Sequence, residues 1–215
     1  MSFTFATLKS AIQDYTQNDE TNFVSNLSNF IRLAEEKIFK SVQLSYFKKN
    51  ASGAMTSGNR FLACPSDFIA PYSLSITSSS NIEFLLFKDL DFIQTYNPNA
   101  STTGIPKYYA QFDVDNFILA PTPNAALTTT LSYFYRPASL TAGADSGTTW
   151  ISENAEIALL YGSLVEAYTY MKGEQDILSL YNAKLNEALI GVKKLGESTE
   201  VSDTYRAGQI RRQKS

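Results

Sequence analysis

The sequence predicts an α+β protein: a helical bundle formed by N- and C-terminal helices, an inserted antiparallel β-rich region (a sheet or small sandwich), and an extended C-terminal tail. Three observations predict it. Apolar residues recur at helical spacing towards both ends of the chain. Between them lie short aromatic or β-branched runs separated by turn residues, the signature of strands. The last residues carry no core-forming periodicity at all. The expected boundaries are 1–42 for the N-terminal helices, 43–149 for the β-rich insertion, 150–197 for a C-terminal helical hairpin that completes the bundle, and 198–215 for the tail.

In chain order, 3–15 forms a first helix that ends in the polar run Thr16-Gln17-Asn18-Asp19-Glu20. Phe23, Leu27, Phe30, Ala34 and Ile38 then mark an amphipathic helix over 22–41. Strands are expected over 44–49, 60–63, 72–77, 82–87, 107–112, 116–120 and 128–136, with a short helix over 89–96. Asp113-Val114-Asp115-Asn116 sits between two aromatic runs and reads as a hairpin turn, because Asp and Asn tolerate turn conformations. The prolines fall at the edges of the runs, as a sheet requires.

Residues 142–149, with two glycines and small polar side chains, read as a flexible connection. Ser152 reads as the N-cap of the next helix, with Glu153 and Glu156 favourably placed near its positive end. Ile157, Leu160, Tyr161, Leu164, Tyr168 and Met171 form one apolar stripe of that helix, and Leu159, Gly162 and Val165 a second face. A helix apolar on two faces is either central in its own domain or shared with a neighbouring subunit. Lys172-Gly173 ends it. A last helix over 176–195, with Ile177, Tyr181, Ala188, Val192 and Leu195 in register, makes an antiparallel hairpin with its predecessor.

The composition excludes much chemistry. The 215 residues contain no His, one Cys and one Trp. Without His there is no Ser-His-Asp or Cys-His catalysis and no His-ligated zinc or haem. One Cys forms no intramolecular disulfide and no thiolate cluster. Net charge is −3, which predicts no basic nucleic-acid face over the whole chain. No P-loop and no dinucleotide fingerprint is present, and nothing in the sequence asks for a cofactor or a metal. The first nine residues lack the basic start and apolar run of a signal peptide, and the most apolar stretch, 157–171, is shorter than the ~20 residues a membrane span needs.

The remaining candidates for chemistry have plainer readings. Asp113-x-Asp115 offers two carboxylates, but where a turn is wanted. Asp89 and Asp91 stand where a short helix begins. Glu166, alone in an apolar helix, is expected to snorkel or to pair with a Lys or Arg of another element or subunit. Cys64 reads as a small buried hydrophobe. The 13 tyrosines and 14 phenylalanines, without interleaved Lys and Arg, suit core packing or a protein interface. Two rival functions remain: a carbohydrate- or receptor-binding β-module, suggested by the Tyr-rich middle, and a hydrolase using Asp113, Asp115 or Glu166, which would need its acids to converge.

Certain passages carry a resemblance. Leu62-Ala63-Cys64-Pro65-Ser66-Asp67-Phe68 fits the pattern Leu-x-x-Pro-x-Asp-Phe after a strand. Pro106-Lys107-Tyr108-Tyr109, then Asn116 to Pro123, follow in order. Tyr135-Arg136-Pro137-Ala138-Ser139-Leu140 precedes the C-terminal helices, which open near Trp150-Ile151. In these passages and in element order the chain, from 22 to 195, resembles the head-to-tail adaptor (connector) proteins of tailed bacteriophages, including the tail-tubular-protein-A type.

The resemblance implies a non-enzymatic structural protein of the virion neck, present in the host cytoplasm during assembly. It implies a homo-oligomeric ring of about twelve copies between the portal protein and a tail tube, nozzle or tail-completion protein. Genomic DNA passes through the lumen without sequence-specific binding, and no membrane is involved. It further implies that the tail reaches the portal. Tyr205 and Ile210 are its apolar anchors and Arg206, Arg211, Arg212 and Lys214 its charges. Leu159, Val165 and Glu166 are the expected contacts with a neighbouring copy.

Overall fold

The computed structural model describes residues 2–41, 47–78 and 80–198. The chain is mixed α and β, with six α-helices and a large, mostly antiparallel sheet among the described residues. It divides into two units. One takes Met1–Tyr46 and Pro137–Ser215, the other Phe47–Arg136.

In the helical unit, α1 (Phe5–Thr16) opens with a reciprocal cap. The Thr4 hydroxyl accepts from the Thr7 amide at 3.2 Å, and the Thr7 hydroxyl accepts from the Thr4 amide at 2.9 Å. Phe5, Leu8 and Ile12 make its buried stripe. α2 (Thr21–Ser41) buries Phe23, Leu27, Phe30, Ile31, Ala34 and Ile38, the spacing that the sequence predicts.

The C-terminal half starts differently from expectation. Ser152 is not the cap of a long helix. It lies inside a short helix, α4 (Trp150–Asn154), which Thr149 caps through a reciprocal pair with Ser152. The chain breaks at Ala155 (φ −132°, ψ 35°) and α5 (Glu156–Met171) begins afresh. Residues 142–149 are also tied down. The Ala6 amide donates to the Asp145 carbonyl at 3.0 Å, and Lys9 Nζ lies 3.4 Å from the Asp145 carboxylate.

α5 packs against α1, α2, α4 and α6 (Gln175–Ser198). Gly162 sets the α2–α5 distance, since a Cβ there would stand 2.9 Å from that of Ala34. The α5–α6 turn has a similar demand. Lys172 takes the left-handed conformation (φ 55°), and a Cβ on Gly173 would strike the Tyr168 ring at 2.5 Å.

The other unit is built on a seven-stranded sheet of order β1-β9-β3-β4-β6-β7-β2. The strands are β1 (Lys48–Met55), β2 (Phe61–Ala63), β3 (Phe68–Ser78), β4 (Asn81–Phe87), β6 (Tyr108–Gln111), β7 (Asn116–Ala120) and β9 (Leu127–Tyr135). The two-residue strands β5 (Thr103–Gly104) and β8 (Thr122–Pro123) pair separately. Neighbours in the large sheet run antiparallel except β4 and β6, which are parallel. A parallel pair needs a crossover rather than a hairpin, and α3 (Leu90–Tyr96) lies on that connection. β3 begins earlier than expected and runs through Pro71, where a register shift absorbs the missing amide.

One face of the sheet buries Leu74, Ile76, Leu85, Tyr109, Phe117, Leu119, Leu131 and Tyr133 in a single core with Met55. On the other face, at β6 and β7, Ile93 of α3 covers Ala110, Ile118 and Ala120.

Candidate functional site

Of the acidic residues that invite a catalytic reading, Asp113 and Glu166 are engaged structurally. In the β6–β7 hairpin, Asp113 Oδ1 accepts from the Asp115 amide at 2.8 Å and from Asn116 Nδ2 at 3.1 Å. Those bonds, Asn116 first, hold the Asp113 carboxyl below its ordinary range. Glu166 is ion-paired with Lys37 of α2, a partner from another element of the same chain. Asp89 flanks α3 without a side-chain capping bond. Burial, with Asp113 and Asp115 adding negative field, pushes the Cys64 thiol up to about 11, so it stays protonated at neutral pH. Among the described residues no three His, Cys, Asp or Glu side chains are grouped as a metal site, and no helix is long and apolar enough to cross a membrane.

Asp67 has a role that the sequence pattern names without explaining. Its carboxylate accepts from Lys49 Nζ at 2.8 Å and from the Tyr133 hydroxyl at 2.7 Å, and its carbonyl accepts from the Arg136 amide at 2.8 Å. Burial works to raise its pKa, but the two side-chain hydrogen bonds and the Lys49 charge outweigh it and hold the carboxyl low. The Leu-x-x-Pro-x-Asp-Phe passage thus joins β1, the start of β3 and the end of β9.

Part of what the molecule leaves exposed is apolar. β4 crosses the middle of its sheet, yet Ile82, Phe84 and Leu86, alternate residues on one face, are 66%, 70% and 58% exposed. Leu86 pairs in register with Tyr108, which packs edge-on against Phe92 and Tyr96 of α3. The stripe therefore continues into an aromatic cluster. Contiguous exposed apolar surface of this kind marks interaction sites. A strand over 82–87 was legible in the sequence, but the exposure of its apolar side chains was not.

A second apolar surface lies in the helical unit, where a groove runs beside the N-terminal end of α5 and along α6. Two adjoining hollows of about 590 and 380 Å³ share Glu156, Ile157 and Ala188 in their walls. Ile157 is 62% exposed there, and Leu160, Tyr161, Val192 and Leu195 line the rest.

Leu159 and Val165, two of the expected contacts with a neighbouring copy, are 0% and 5% exposed and packed inside the unit with Gly162. The open end of α5 belongs instead to the stripe of Ile157, Leu160 and Tyr161. Tyr205, Arg206, Ile210, Arg211, Arg212 and Lys214 lie outside the described residues.

A protein-family model described as SU10 adaptor protein matches residues 3–212. The chain belongs to that family. No curated protein matches it. The SU10 adaptor match spans both units and runs on through Arg212. Membership gives the chain a structural role as a phage adaptor that interacts with head and tail components. The finer likeness to the tail-tubular-protein-A type goes beyond what the SU10 adaptor match carries.

Proposed function

We propose that this adaptor forms a closed ring between the portal and the tail or nozzle, with the genome passing through its lumen. The observation that carries the reading is the family match over 3–212, which takes in the three arginines of the basic segment as well as both units. In this reading the helices form the bundle that meets neighbouring copies. The contacts fall on exposed residues such as Ile157, Leu180 and Ile190. Leu159 and Val165 serve them from beneath by fixing α5, and Glu166 does so through Lys37.

The β4 stripe supplies a further protein contact, and the tail docks on the portal. Four basic residues and no acid follow Asp203, so an acidic portal surface is the fitting complement. An excess of acid over the whole chain suits a conduit, because phosphate affinity comes from Lys and Arg and a conduit must not grip its cargo. Head-to-tail contacts close into a ring only when the rotation per subunit closes, which a portal template enforces.

Deleting residues 204–215 tests the docking. The expected outcome is loss of co-sedimentation with portal and an unchanged thermal melt. Undiminished binding by the truncated chain removes the tail from the mechanism.

A further inference from the structure

β4 has an open edge as well as an apolar face. It pairs with β3 over Asn81–Leu85 on one side, but on the other it pairs with β6 only at Leu86 and Phe87. Pro106 has no amide with which to extend that ladder, and the Lys107 amide donates instead to the Ala120 carbonyl at 2.9 Å. The Leu86 amide points towards β6, where it donates to the Lys107 carbonyl at 2.9 Å. Backbone groups alternate sides along a strand, so those of Phe84 and Ile82 point the same way. Among the described residues they meet no backbone partner there.

The side chains along this edge say what would lie beside it. Ile82 and Phe84 are exposed on one face. Glu83 pairs with Ile76 and stands on the other face, exposed and without an ion-pair partner among the described residues. Residues directly opposite each other in a sheet share a face. A strand that fits therefore reads apolar, basic, apolar. A second β4 does not fit, because the register that uses both open residues sets Glu83 against Glu83, and like charges directly opposite repel. The edge also ends where β6 begins, so it takes one short strand rather than the border of another copy's sheet.

We propose that Asn81–Leu85 accepts, by strand addition, one extended segment of another virion component with a basic side chain between two apolar ones. The amides and carbonyls of Ile82 and Phe84 bond its backbone, its apolar side chains cover Ile82 and Phe84, and its cation meets Glu83. Free edges with apolar side chains are templates for such pairing. The slot is about 16 Å long at 3.3 Å per residue, the length of a five-residue strand.

This names the chemistry of the partner at the β4 stripe and rests on the reading above that the stripe is a protein contact. Specificity then comes from the one charge at the edge, while the backbone bonds and apolar cover supply the affinity.

NMR titration of the full chain with two blocked peptides, Thr-Val-Lys-Val-Thr and Thr-Val-Glu-Val-Thr, tests the proposal without any portal. The Lys peptide is expected to bind about fivefold more tightly than the Glu peptide and to slow hydrogen exchange at the Ile82 and Phe84 amides. Glu83→Lys should reverse the order of the two peptides. Ile82→Pro removes an amide that faces away from β3, so the thermal melt should stay near that of wild type. Its affinity for the Lys peptide should fall about fivefold, for want of one hydrogen bond. No binding of either peptide, equal affinity for both, or binding that leaves both amides exchanging freely overturns the proposal. None of these results bears on ring assembly, which light scattering with portal reads separately.

Discussion

Glu35 sits on the buried face of α2, where a carboxylate is costly, and two hydrogen bonds offset part of that cost. Its Oε1 accepts from the Leu140 amide at 2.8 Å, and its Oε2 accepts from the Ser139 hydroxyl. Burial raises its pKa, and the bonds to Ser139 and Leu140 and the Arg32 charge only partly oppose this. A carboxyl raised on folding contributes stability that is complete below its unfolded pKa and is lost as pH rises through the folded value. Glu35→Gln removes that loss. The urea midpoint of the variant should therefore improve relative to wild type as pH goes from 4 to 7. Glu35→Ala leaves the Leu140 amide without its acceptor and should cost about 1–3 kcal/mol at any pH. An unchanged difference between Gln variant and wild type over that range would show that the Glu35 charge carries no penalty. None of this was legible in the sequence, which shows Glu35 only as one of several charges on α2. The partner of Glu166 was only partly legible: snorkelling, or a Lys or Arg of another element or of another subunit, was expected, and the choice of Lys37 depends on the α2–α5 packing.

The packing of α2 on α5 depends on Gly162. A methyl group there meets the Ala34 side chain at 2.9 Å, so the two helices must separate. Gly162→Ala gains helix propensity but should lose about 1–3 kcal/mol through overpacking, read as a lower urea midpoint. A variant as stable as wild type would mean that the helices are not in close contact at that point. At this scale the sequence was most informative where burial is one-sided. α2 repeats every three to four residues, and it was expected at 22–41 against Thr21–Ser41 observed. The β6–β7 hairpin was legible from Asp113 to Asn116 because the turn is made by those side chains themselves. β1 was expected at 44–49, of which 44–46 lie outside the described residues, and it runs instead over Lys48–Met55. Its sequence, Lys-Lys-Asn-Ala-Ser-Gly-Ala-Met, has almost no apolar alternation. It is an edge strand defined by pairing with β9, a non-local fact. The parallel β4–β6 pair and the break at Ala155 were hidden for the same reason, since each depends on where distant parts of the chain pack.

For the whole molecule, the legible part was the composition: no His, scarce charge and abundant aromatics direct attention to surfaces. Which surfaces was not legible. Of the two apolar faces of α5, the one expected to meet a neighbour is packed inside, and the stripe expected inside opens at Ile157. The periodicity of a helix shows that a face is apolar, but not which neighbour covers it. The β4 stripe shows the same ambiguity in a sheet, where alternation alone does not tell core from interface.

In the proposed function, these surfaces and the basic tail are kept for assembly on the portal. Light scattering of the purified chain, alone and then with portal, tests it most directly. The expected result is a monomer-sized particle alone and, on adding portal, a single larger complex containing a ring of adaptor. A stable ring formed by the chain alone and indifferent to portal, or a chain that stays monomeric in the presence of portal, would contradict it.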